Sequence, residues 1–132
     1  HRRVIYDPGL DLILAGIEGS LRYNRRRYQY TQKQMWQMVY GMVPQLMLNK
    51  VRYGRFLDVF VTHAAPKGIH DEDDPAHQGI DAFRWLIENF SPRLHLHGHI
   101  HLYNPLKPRE TMLGETRVIN CYGHREVSLV TD

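Results

Sequence analysis

Nine histidines occur in the 132 residues, and four of them, His95, His97, His99 and His101, stand at alternate positions in the run RLHLHGHIH. A strand ending at Gly98 divides them. His95 and His97 then belong to the strand, and His99 and His101 to the loop that a glycine lets turn away sharply. A fifth, His63, closes the apolar run Leu57 to Thr62 and is followed by Ala64-Ala65-Pro66, which signals a loop. In α/β sheets, sites collect at the C-terminal ends of strands, where side chains project from a rigid base into open space. Neutral imidazole suits zinc, iron and other borderline cations. Three imidazoles at two strand ends, His63, His99 and His101, therefore predict a metal site.

A second chemistry-bearing group lies earlier. Arg22, Arg25, Arg26 and Arg27 fall within six residues, interleaved with Tyr23, Tyr28 and Tyr30. Guanidinium groups hold phosphates, and tyrosine rings stack on bases. The segment Lys67 to His77 (KGIHDEDDPAH) follows the His63 loop, where it would cover the site. Its lysine and histidines suit a phosphate, while Asp71, Glu72, Asp73 and Asp74 repel one. Arg22, Arg25 and His77 are the expected substrate contacts.

The elements that must position these residues show in the apolar pattern. Asp11 to Gly16 and Leu57 to Thr62 read as buried strands. Thr31-Gln32-Lys33-Gln34 matches a capping box, and Trp36, Val39, Tyr40, Val43 and Met47 recur at helical spacing behind it. Pro44 is expected to kink or end that helix. Ile80, Phe83, Ile87 and Phe90 form a second stripe, stopped by Ser91-Pro92. Leu94 to Gly98, Thr116 to Asn120 and Glu126 to Val130 complete the strands, with a Tyr122-Gly123 turn between the last two. Strand, helix, strand, helix and three strands argue for α/β layering with a mixed sheet.

Composition bounds the rest. The chain is 42% hydrophobic and 23% charged with a net charge of +3, ordinary for a globular domain. No window approaches the roughly 18 apolar residues of a membrane span. A single cysteine, Cys121, excludes an internal disulfide and sets a reducing compartment, the cytoplasm, as the expectation. The chain opens on His1 without an initiating methionine and reads as a fragment.

The series Val61-Thr62-His63-Ala64-Ala65-Pro66, Gly79 ahead of a helix, and Leu96-His97-Gly98-His99-Ile100-His101 is similar to the closing motifs of the calcineurin-like metallophosphoesterases. Ala15 to Ser20 and Val118 to Gly123 resemble that superfamily's flanking strands. The resemblance implies the C-terminal half of a four-layer α/β/β/α sandwich with mixed sheets, residues 1–132 being that half. It implies two metal ions, manganese, iron or zinc, with His63 and His99 on one and His101 on the other. The family's Asp-x-His, Gly-Asp-x-x-Asp and Gly-Asn-His motifs do not occur in this sequence. Its leaving-group histidine belongs to the last of these, so no catalytic residue is assigned.

The implied activity is hydrolysis of a phosphate mono- or diester in the full-length protein, the isolated fragment being inactive. Two cations roughly 4 Å apart repel, and three neutral imidazoles supply no charge to offset that. The implied partners are a phosphoester substrate and the N-terminal half of the domain. That half would cover an apolar sheet face which a lone piece leaves wet. Two other readings are a nucleic-acid-binding module using residues 22–30 and a scaffold of the same fold that has lost catalysis.

Overall fold

The computed structural model describes residues 1–129. Six strands form one mixed sheet, in the order β1-β2-β5-β6-β8-β7. They are β1 (Arg3–Asp7), β2 (Leu12–Ile17), β5 (Val59–Thr62), β6 (Leu94–His97), β7 (Glu110–Leu113) and β8 (Thr116–Asn120). The central strands β2, β5, β6 and β8 run parallel, and β1 and β7 add antiparallel edges. A two-stranded parallel ribbon, β3 (Ser20–Leu21) with β4 (Gln29–Tyr30), frames the arginine segment. The helices are α1 (Gln32–Tyr53) and α2 (Asp81–Phe90).

Connectivity decides where the helices go. The steps β2 to β5 and β5 to β6 move the same way across the sheet, and right-handed crossovers place both helices on one face. Ile13, Ala15, Ile17, Phe60 and Val118 meet α1 and α2 there in the main core. Alternation sends Leu14, Val59, Leu94, Leu96 and Ile119 to the opposite face. A smaller cluster forms on that side, covered in part by Val127 and Leu129. Ile5, Val61 and Met112, on the same side by alternation, are 53%, 44% and 56% exposed.

The capping box of α1 forms as its sequence requires: the Gln34 amide donates to Thr31 Oγ1 (3.1 Å), and the Thr31 amide donates to Gln34 Oε1 (2.8 Å). Pro44 does not end this helix, which continues to a left-handed Gly54 cap. Both Pro44 and Tyr40, whose carbonyl the proline leaves without a donor, lie on the exposed side of the helix, away from the core. The buried stripe is also rotated from the expected one. Met35, Met38, Val39, Met42 and Leu46 face the core; of the expected stripe Val39 is buried, Trp36 and Val43 are half-buried against the core, and Tyr40 and Met47 are exposed. Trp36 and Tyr40 instead pack around Trp85 of α2, with centroids 5.6 and 5.3 Å away.

The α2 stripe is the expected one, with Ile80, Phe83, Ile87 and Phe90 all buried and a left-handed Ser91 closing the helix. Four strands were not evident from the sequence pattern: the sheet edges β1 and β7, and the short β3 and β4 of the ribbon. Conversely, residues 126–129 of the expected Glu126 to Val130 strand are not in a strand, and Val130 lies outside the described residues. No helix among the described residues is long and apolar enough to cross a membrane.

Candidate functional site

β5 and β6 are parallel neighbours, so their C-terminal ends lie side by side. Backbone bonds tie these ends to each other and to β8: the Gly98 amide donates to the His63 carbonyl (3.0 Å), and the Cys121 amide, just past β8, to the His97 carbonyl (2.7 Å). From β8, buried Asn120 braces the loop that follows β6. Its side-chain amide donates to the Ile100 carbonyl (3.0 Å), and its oxygen accepts from the Tyr122 amide (2.9 Å). His99 takes a left-handed backbone conformation (φ 65°) within this frame.

These constraints bring His63 Nε2 to 2.9 Å from His99 Nδ1. The far nitrogen of His99, Nε2, lies 2.7 Å from the Ala76 carbonyl. A carbonyl only accepts, so neutral His99 carries its proton on Nε2 and turns the Nδ1 lone pair toward His63. Partial desolvation first, and the neighbouring His99 second, hold the exposed His63 below the usual imidazole range, which favours the neutral ligand form.

The separation fits two positions on one ion: metal–nitrogen bonds of roughly 2.0–2.1 Å put nitrogens about 2.9 Å apart at a right angle and about 3.4 Å apart in a tetrahedron. Metal-bound histidines are commonly oriented by a carbonyl on the other nitrogen, the part Ala76 plays here. His63 and His99 therefore fit a metal by donor chemistry, with the remaining positions left for ligands beyond these two.

His101 does not join that pair closely. Its Nδ1 hydrogen-bonds with the Tyr103 hydroxyl (2.8 Å), and its ring stacks on Tyr122 at 4.6 Å. Among the described residues, the one group of three ligand atoms within 4.8 Å of one another is Glu72, Asp74 and His77. That group already has internal partners. His77 Nδ1 hydrogen-bonds Asp74 (2.8 Å), and the Lys107 ammonium pairs with Glu72. The His77 ring lies 5.0 Å from that of His99, so the segment 67–77 closes one side of the histidine pair.

His95 and His97 point to the helix-covered face and are buried. The Thr62 hydroxyl donates to the Ala64 carbonyl (2.7 Å) and so accepts from His95 Nε2 (3.2 Å). His95 Nδ1 is left as a buried acceptor without a partner. His97 Nδ1 donates to the Gly98 carbonyl (3.3 Å), and its Nε2 accepts from His70 Nδ1 (2.9 Å). His70 Nε2 in turn accepts from the Thr111 hydroxyl (2.8 Å). Every link assigns a neutral ring. Burial pushes His97 down to about 4, His95 well below its usual value, and His70 in the same direction.

The arginine segment reaches the same place. A cavity of about 470 Å³ is lined by His63, His99, Arg26, Arg27, Tyr23 and Tyr28, among others. Of the expected substrate contacts, Arg22 instead spans the ribbon, its guanidinium donating to the Gln29 carbonyl (3.4 Å) and Gln34 Oε1 (3.5 Å). Arg25 lines a separate depression with Arg22, Asn24 and Arg26, so Arg26 borders both hollows. The sequence marked the cluster but held no signal for which arginine faces inward. The Gln29 side chain decides it, accepting from the Tyr23 and Asn24 amides (3.3 and 3.1 Å) and turning the segment back on itself.

No protein-family model and no curated protein is similar to the chain. Solved structures are similar in fold, two among them as follows. One matches with a TM-score of 0.57 at 18% identity, over 91% of this chain and 44% of the other. The second, TT1561 of Thermus thermophilus, matches with a TM-score of 0.56 at 18% identity, over 91% of this chain and 47% of the other. The chain thus spans less than half the length of each. Identity this low shows shared fold alone.

Proposed function

We propose that the chain is part of a metal-dependent phosphoesterase, a hydrolase of phosphate mono- or diesters. The observation that carries this reading is the His63–His99 pair, set at adjacent parallel strand ends with the Nδ1 lone pair of His99 directed at His63 Nε2. In the proposed centre His63 and His99 share one ion, and His101 serves a second. The metals, manganese, iron or zinc, would supply Lewis-acid stabilisation of phosphoryl charge. The chain's own part is to hold His99 in one tautomer through Ala76, to keep His63 neutral, and to present Arg26 and Arg27 to an anion.

The resemblance to the calcineurin-like superfamily supports a four-layer sandwich in which a second sheet covers Val61, Ile5 and Met112. Their exposure supports it too. The carboxylates that such a pair of ions requires would then come from outside this sequence. As an independent nucleic-acid module the arginine segment has less support, because Arg26 and Arg27 share a cavity with the histidines.

The test is turnover of 4-nitrophenyl phosphate and bis(4-nitrophenyl) phosphate by the full-length protein with added manganese, iron or zinc in turn. Chelation and His63→Ala should each abolish it. Full turnover by a chelated, metal-free protein would overturn the reading, as would no turnover of either ester with any of the three metals.

A further inference from the structure

We propose that the cavity beside His63 and His99 binds a phosphoester whose leaving group carries a planar aromatic base, the chemistry of a nucleotide. This rests on the phosphoesterase reading and adds a substrate class to it. At about 470 Å³ the cavity lies within the roughly 300–1,000 Å³ range of small-molecule sites.

Its lining carries two chemistries. The two imidazoles contribute one. Arg27, and Arg26, which also borders the depression beside Arg25, contribute the other, with guanidinium groups that, among the described residues, make no side-chain hydrogen bond or ion pair. A forked guanidinium without a protein partner matches phosphate oxygens in both charge and shape. The one carboxylate on the lining, Glu18, is engaged with the Tyr30 hydroxyl (3.0 Å).

Tyr23 and Tyr28 supply flat surfaces, both exposed although large and aromatic. Tyr28 is held there against its own preference. Its backbone is left-handed (φ 61°), a region in which a bulky residue is an outlier and which persists only where the surroundings enforce it. The enforcement is visible. The Ser20 amide donates to the Tyr28 carbonyl (3.1 Å), and Gly19 passes so close that an added Cβ would lie 2.5 Å from that oxygen and 2.6 Å from the Tyr30 ring. A strained, exposed tyrosine next to free arginines, in the cavity of a histidine pair, is placed for stacking. Base–aromatic stacking tolerates any base, so the pocket selects the planar group without choosing among bases.

The test compares equilibrium binding of adenosine 5′-monophosphate and ribose 5-phosphate to the full-length protein, in chelator, by titration calorimetry. The two probes share the phosphate and differ by the base. Adenosine 5′-monophosphate is expected to bind about 5- to 150-fold more tightly, the span of one stacked base. Tyr28→Ala should bring the two affinities together, Tyr28→Phe should keep them apart, and Arg26→Gln should weaken both.

Equal affinities in the unaltered protein would overturn the inference, as would a preference untouched in a Tyr28→Ala variant with native circular dichroism. Turnover of the nitrophenyl esters, measured in parallel, separates the two readings. Turnover with equal probe affinities removes the base subsite and keeps the phosphoesterase. Base-selective binding without turnover of any ester removes the phosphoesterase and retains a nucleotide-binding pocket.

Discussion

Lowering the pH should unfold this protein through its interior histidines. His97 is buried, and its pKa falls from the usual 6.5 to about 4. The sign follows from where the proton binds. Below pH 6.5 the unfolded chain takes up a proton at this residue, while the native ring stays neutral until about pH 4, so acid favours the unfolded state. Stability is complete above pH 6.5, declines by about 1.4 kcal/mol per pH unit below it, and levels off under pH 4. His97 alone accounts for about 3 kcal/mol of that loss, a large share of the 5–15 kcal/mol typical of a domain.

His95 and His70 act in the same direction, because their rings are also shifted down. For His95 the structure shows why: a proton on Nδ1 would have no acceptor. The assay is urea unfolding followed by circular dichroism at half-unit steps from pH 7.5 to 4. In a His97→Gln variant the slope, whatever its starting stability, should be shallower. Stability independent of pH between 6.5 and 4.5 would refute the neutral chain from Thr111 through His70 to His97.

Replacing His63, His99 or His101 by alanine in the full-length protein should lower metal content and turnover together, by more than the roughly 10- to 100-fold typical of groups that merely orient a ligand. His95→Ala and His97→Ala should show instead as thermal destabilisation, with smaller loss of metal measured by mass spectrometry. Thr31→Ala should cost about 1 kcal/mol by removing the α1 cap, read as the unfolding midpoint in urea. Gly19→Ala should cost more than about 1 kcal/mol in the same assay, since its φ of 90° and the 2.5 Å approach of the Tyr28 carbonyl both exclude a side chain. Val61→Lys should destabilise the full-length protein far more than residues 1–132 alone, if a second sheet covers that face; equal effects would remove the sandwich.

The central strands and both helices were legible because each carries its own apolar signal. Val59 to Thr62 and Leu94 to His97 lie between parallel neighbours and, Val61 apart, are largely buried, which favours apolar residues along them. Edges carry less. β1 and β7 contain Arg3, Asp7 and Glu110, and they are strands because β2 and β8 offer them a free ladder, which local sequence does not reveal. The rotation of the α1 stripe has a similar cause. Aromatic Trp36 and Tyr40 suggested the core face, yet they sit on the seam with α2 while the flexible methionines pack on the sheet. In the candidate site, His63 and His99 were legible from their strand-end positions. The Ala76 carbonyl was not, since any residue type presents one.

That last contact sets what kind of change the site tolerates. The group that fixes the His99 tautomer belongs to the main chain, so exchanging Ala76 for another residue removes nothing from it. Adding or deleting a residue between Lys67 and Gly79 would carry the carbonyl away and free the ring to turn over. For this contact the constraint on the acidic, irregular segment is therefore one of length: the side chain at position 76 is free to change while the residue count around it is held.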